Sequence, residues 1–585
     1  YFLICRKKGY KTFHFKTLMS ESILQDLHYY FQEKIVWVYF QLSRKKTFSS
    51  NLHLELHCKL FLRTLQSLIE NNSSEWLVYL DLFIRCISYC RDSYIGLGER
   101  ELSYMLIYSL HEYFPRIANY LVCTFIHKVT DSDNRLIGCW KDIPNLCQYI
   151  YNSSSLREKH PLISFCIVLM NDQLKIDLYT WRFSDHSYDK FYISNLYKHL
   201  PREKSKMDWL YTKLAIYWVS CQKPYILKTP KTLLSYNKAI SKSKRMYRKL
   251  VSSLQKGCSS TSFLMAHKNQ YHLSKYHHFN PNEISMHDYK NHSNFFYQNV
   301  HNDPEKTIFQ GTYQEHMQNW IQGKLIKNDS NFIFGYNHTN LPIYYLVKRA
   351  IYFYKSESIN NEEEIKFLNS YWVGLFKNKK KSDYLLPLLD VSNTLNNDSF
   401  CASLATAMYA SRISKLDNSL VAVDKIPTWI SIPIHLTFYE QICYIMENIY
   451  NLQNNECNYT RAIQLIIHTL KETNVTNHFI ENIKLFFLNT SSSIISEKEV
   501  ETLFCNNGFS CYSKLIYWNF SQEEILNLPC EINSKHSFLF SGYSLAPFYQ
   551  IYHKSLIEHD TFSFIQDVLN NKRYLPLTHF LLESF

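Results

Sequence analysis

Glycine is scarce in this chain, with 11 residues in 585. Tight β-hairpins need positive φ, which Gly and, less readily, Asn supply, so an architecture of many short hairpins is disfavoured and a largely helical or α/β chain is expected. Long apolar runs are missing too. The longest, Tyr120 to Ile126 and Ile163 to Met170, fall far short of the roughly 20 residues that a membrane-spanning helix needs, so no membrane association is expected. At the amino terminus Arg6, Lys7 and Lys8 follow the apolar Tyr1 to Cys5, the reverse of a signal peptide, and without an initiator Met the chain reads as a fragment. The 16 Cys include no CxxC pair, which points to reduced thiols in a cytoplasmic protein. There is also no GxSxG, HExxH, P-loop or Gly-rich dinucleotide fingerprint, so neither an enzyme nor a bound cofactor is expected. What is present, 46% apolar and 20% charged residues, excludes a disordered chain and provides for roughly two to four domains.

Acidic residues are absent from one long window. Between Trp209 and Asn282 there is no Asp or Glu but there are thirteen cations, as many as the net charge of +13 for the whole chain. Attraction to a polyanion is therefore concentrated here. The densest part runs from Lys238 through Lys242, Lys244, Arg245 and Arg248 to Lys249, with Tyr225, Tyr236 and Tyr247 in or beside it. Cations for phosphates beside aromatics for unpaired bases are the ingredients of single-strand recognition, although a solvated basic face would have the same composition. The next stretch, from Met265 to His301, holds seven His. A metal site prefers His at i,i+4 on a helix with carboxylate or thiol partners, and this loop-like stretch lacks that pattern, so it is expected to be solvated.

Apolar periodicity over residues 15 to 220, as in Leu102, Met105, Leu106 and Leu110, predicts an all-α domain of stacked helical pairs, assigned to 1–222. A basic, His- and Asn-rich part with long loops follows over 223–330, then a helical connection over 331–380. From 381 to 585 the texture changes. Strand candidates Tyr384 to Leu389, Leu420 to Val423, Ile483 to Leu488, Lys514 to Trp518 and Phe538 to Phe540 alternate with the helical stretches Ala402 to Ile413, Thr437 to Asn448 and Thr460 to Lys471. Such alternation predicts an α/β doubly wound, mostly parallel sheet whose ligand site lies beyond the strand ends, at Asp390, Asn489 and Asn519.

The segment Asp390-Val-Ser392-Asn-Thr394 resembles the DxSxS loop of a von Willebrand factor A domain. Further blocks, Gly98-Glu-Arg-Glu-Leu-Ser-Tyr-Met105, Gly138-Cys-Trp-Lys-Asp-Ile143, His160-Pro-Leu162, Leu200-Pro-Arg-Glu-Lys-Ser-Lys206, Tyr247-Arg-Lys-Leu250, Pro427-Thr-Trp429 and Ser541-Gly-Tyr-Ser544, resemble a family of large DNA viruses, plants and fungi that joins a helical domain to such an A domain. The layout is more distantly similar to the TROVE architecture of the Ro ribonucleoproteins, which implies RNA binding by the helical region. Arg100, Lys141, Arg202, Lys204 and Lys206 would then be cations of the shared blocks, with ion pairs inside the domain as their structural alternative.

The A-domain resemblance implies a metal-ion-dependent adhesion site in which Asp390, Ser392 and Thr394 would hold Mg²⁺. The remaining positions depart from that pattern, since the second loop offers Cys457, with Thr460 three residues on, and the third offers Asn489. A thiol is a soft ligand and the amide removes a negative charge, so Mg²⁺ binding is expected to be degenerate. The other role open to Asp390 is to cap the following helix. Together these readings lead to the expectation of an RNA-binding protein with an A-like interaction domain, and alternatively of a protein–protein adaptor acting through that domain.

Overall fold

The computed structural model describes residues 21–43, 48–71, 74–127, 136–183, 193–226, 232–257, 343–356, 362–376, 381, 383–392, 398–450, 457–473, 475–491, 494–545, 548 and 559–585. The basic start of the chain, the His-rich stretch 265–301, the lysines at 377–380 and Thr394 lie outside them.

The apolar spacing of the first half folds as helices: α1 (Glu21–Phe40), α2 (Phe48–Glu70), α3 (Leu77–Arg91), α4 (Glu101–Tyr113), α5 (Pro115–Thr124), α6 (Asp142–Ser153), α7 (Pro161–Phe183), α8 (Leu196–His199), α9 (Asp208–Gln222) and α10 (Leu233–Gly257). Pro115 and Pro161 open α5 and α7, where a missing N–H leaves no helical bond unmade. Leu102, Met105, Leu106 and Leu110 are buried in α4, as are Ser103, Tyr104, Ile107 and Ser109. In α10 the buried positions Ala239, Ser243, Tyr247 and Leu254 recur at helical spacing and face α9 and α7. Two further helices, α11 (Ile343–Ser356) and α12 (Glu362–Leu375), are joined by paired bonds from Arg349 to Glu364, both 2.7 Å.

The second half builds one six-stranded sheet: β1 (Tyr384–Asp390), β2 (Ser419–Val423), β3 (Thr428–Ser431), β4 (Ile483–Asn489), β5 (Lys514–Asn519) and β6 (Ser537–Ser541). Its helices are α13 (Asp398–Ile413), α14 (Phe438–Tyr450), α15 (Tyr459–Glu472), α16 (Asn477–Asn482) and α17 (Glu497–Asn506). The strand order is β3-β2-β1-β4-β5-β6, parallel except for β3 against β2. The inner strands are buried along nearly their whole length, as helices on both faces require. All five strand candidates fall inside strands. β3 went unseen in the sequence because Thr428 and Trp429 are half-buried and form no apolar run. α17 carries a reciprocal Ser496/Glu499 capping box, a start signal present in the sequence.

The two halves interlock. The carbonyls of Tyr39 and Phe40, ending α1, accept from Ser541 Oγ and Asn519 Nδ2, both at 2.8 Å. Gly542 has a φ of +87°, and a Cβ there would meet Leu97 Cδ2 at 3.1 Å and Leu42 O at 3.3 Å, so glycine lets the end of β6 approach the helical half. In return α18 (Thr561–Leu569) and α19 (Leu575–Ser584) lie on α3 and α5. Arg573 Nε is 2.9 Å from the buried Asp92 carboxylate, and the rings of Tyr120 and Phe580 stack at 3.7 Å.

Candidate functional site

The six cations of α10 from Lys238 to Lys249 divide into two sets. Lys244 Nζ lies 2.9 Å from Asp208 Oδ2 and Arg248 Nη1 lies 3.3 Å from Glu203 Oε2. These pairs tie α10 to the turn at 202–206 and to the start of α9. Lys238, Lys242, Arg245 and Lys249 are exposed. Their steps of four, three and four place them on one face, and none is in an ion pair among the described residues. The pairs bring the turn that carries exposed Arg202, Lys204 and Lys206 beside α10.

The aromatic part of the expectation needs correction. Tyr247 is 0% exposed, packed edge-on against Tyr211 and Trp218 with ring centroids 5.6 and 6.5 Å away, so it cannot stack on a base. Tyr225 and Tyr236 are 63% and 45% exposed. Tyr236 stands two residues from Lys238, and positions two apart on a helix face away from each other. The block cations Arg100 and Lys141 stand near Asp142, Lys141 as its neighbour in the chain. Buried Asp142 accepts from Arg91 Nη2 at 2.6 Å, Tyr104 Oη at 2.7 Å and Cys139 N at 2.7 Å, with Arg100 Nε at 3.7 Å. Burial alone would raise the Asp142 carboxyl, but Arg91 and these donors hold it below its usual value. Two resemblance blocks thus meet at a buried ion pair, and Arg100 has a structural partner in Asp142.

In the sheet, strand order reverses between β1 and β4, the switch point at which doubly wound folds bind ligands. Asp390 ends β1 there and is 0% exposed. Its Oδ1 accepts from Ser392 N at 3.0 Å and Ser392 Oγ at 2.6 Å. Its Oδ2 accepts from Thr490 N and Ser491 N, both at 3.1 Å, and from Ser491 Oγ at 2.8 Å. A carboxylate offers about four lone-pair sites, so these donors saturate it. Asn489 is turned aside, accepting from Tyr459 Oη at 2.6 Å and donating to Ser491 O at 3.1 Å. The Cys457 thiol is pushed up by burial and by the adjacent Asp390 charge, which keeps it protonated. Thr460 is exposed on α15.

These residues do not fit Mg²⁺, which demands near-octahedral oxygen ligation with one or two carboxylates available to it. Asp390 instead clasps the β1 and β4 loops, in place of the expected cap on the next helix. Asn519 is also occupied, between Phe40 O and Ser521 N, so the end of α1 fills that part of the crevice. The sequence reading missed Asp424, directly after β2. It is buried, and neither carboxylate oxygen has a hydrogen-bond partner. The signal was legible, an acid at the carboxyl end of a strand beside β1.

The chain matches no family model and no curated protein sequence.

Proposed function

We propose that this chain is a non-enzymatic RNA-binding protein that grips the phosphate backbone through α10 and the adjoining 202–206 turn. The observation that carries this reading is the exposed row Lys238, Lys242, Arg245 and Lys249, on a helix anchored by Lys244 and Arg248. Phosphate contact is the larger part of the mechanism, because Tyr247 is buried and only Tyr225 and Tyr236 remain for stacking. The A-like reading of the second half draws support from the doubly wound strand order and from the resemblance at Asp390. An adaptor acting through Asp390 is less favoured, because that carboxylate is buried and fully bonded. No helix among the described residues is long and apolar enough to cross a membrane.

The test is binding of fluorescent single-stranded and structured RNAs across a salt series, beside a variant with Lys238, Lys242, Arg245 and Lys249 all changed to Gln. Each phosphate contact contributes about 0.7–0.9 to the slope of log affinity against log salt, so the variant should bind more weakly with a slope shallower by about three. Salt-independent binding, or an unchanged slope in the variant, would overturn the reading. Lys244 and Arg248 are left in place because each is already ion-paired.

A further inference from the structure

Apart from both surfaces above, two imidazoles and a carboxylate gather where α2 meets the segment after β5. His53 and His57 are four residues apart in α2, so one helical turn stacks them on the same face. Their Nε2 atoms are 3.3 Å apart. The other ring nitrogen of His53, Nδ1, contacts Glu524 Oε2, while Glu524 Oε1 is buried without a hydrogen-bond partner. One ligand atom from each of the three residues lies within 4.8 Å of the others, and among the described residues no other trio of His, Cys, Asp or Glu achieves this.

The cluster is held by the end of α1. Gln41, just after α1, donates through Nε2 to Ile525 O at 2.6 Å and accepts from Ile525 N at 3.3 Å. Trp37 Nε1 donates to the same carbonyl at 3.1 Å, and the Trp37 ring lies against His57 with centroids 5.0 Å apart. Glu524 is therefore fixed by its neighbour Ile525, and His57 by Trp37. The His53 side chain is 50% exposed, which gives an ion a route in and leaves room for water to complete its shell.

Two imidazole nitrogens at this separation can share a proton or a metal ion. A tetrahedral ion with metal–nitrogen bonds of about 2.0–2.1 Å holds its ligands roughly 3.4 Å apart, so the observed spacing accepts one with almost no movement. With His53 Nε2 on the ion, its Nδ1–H donates to Glu524, the carboxylate–histidine–metal relay that fixes the tautomer and strengthens the ligand. Nitrogen ligands select zinc and its neighbours over Mg²⁺ or Ca²⁺.

We infer that His53 and His57, with Glu524 behind them, form a zinc-class metal site that clips α2 to the segment following β5. The test uses the full chain after chelator treatment, titrated with Zn²⁺ in competition with a chromophoric chelator. With 25 His and 16 Cys in the sequence, the readout is a difference between proteins. Wild type should bind one equivalent more than H53Q/H57Q. E524Q should keep that equivalent with affinity weakened about 10–100-fold. Zn²⁺ should raise the Tm of the wild type and not of the double variant. If the double variant does not fold, H53Q serves alone, because its side chain is half exposed. Equal stoichiometry and equal affinity in the wild type and the folded variant would overturn the site.

Discussion

At Tyr247 a single side chain separates two interpretations that composition cannot. In a list of residues it is an aromatic among cations. In the fold it is the plug between α10 and α9, with its hydroxyl buried and without a hydrogen-bond partner. Tyr247→Phe should accordingly change stability by no more than about 0.5 kcal/mol, or raise it slightly, because no hydrogen bond is lost. It should also leave RNA affinity untouched, and a fall in affinity measured by fluorescence anisotropy would restore Tyr247 to the binding surface. Asp142 shows the opposite case, a polar residue whose partners are all met. Asp142→Asn leaves the Arg91 charge buried and should cost ~3–5 kcal/mol in urea unfolding. The folded Asp142 carboxyl lies below its unfolded value of 3.8. Its stabilisation is therefore complete above that value and is lost as pH falls through the lower, folded one. Neither role was legible in the sequence, where Tyr247 and Asp142 are each one member of a short motif.

Elements were far more legible than the contacts between them. Strands β1, β2, β4, β5 and β6 announced themselves as apolar runs because a parallel sheet is buried on both faces. The short edge strand β3 did not, since one of its sides meets water. The loops at the switch point show what elements alone leave open. Asp390-Val-Ser392 could be recognised as a strand-end loop, but its partners Thr490 and Ser491 sit a hundred residues away, and only the β1–β4 ladder brings them together. Asp390→Asn puts an amide against donors that want an anion, and should cost on the order of 3 kcal/mol. Millimolar Mg²⁺ should leave the wild-type Tm unchanged. A Mg²⁺-dependent rise abolished by Asp390→Asn would show a working cation site in place of the clasp.

For the whole molecule, the consequence of interlocking is a shared core. Asp92 is pushed up by burial and pulled back by Arg573, and removing Arg573 leaves an unpaired buried acid. Arg573→Ala should lower stability by ~3–5 kcal/mol at neutral pH. The loss should shrink as pH falls, because a protonated Asp92 no longer needs its partner. Unfolding by urea followed through tryptophan fluorescence and helical circular dichroism should shift as one transition, and separate transitions would show that the halves hold together independently. The chain by itself determined the helical first half, the order of the five apolar strands in the second and the place where cations concentrate, because each is written in the spacing or density of neighbouring residues. The tertiary structure decided which cations are free and which are paired, that Asp390 is a clasp, and that His53, His57 and Glu524 meet. Apart from the His53/His57 spacing of four, which is a local signal, those facts depend on residues far apart in the chain, whose proximity is set by packing.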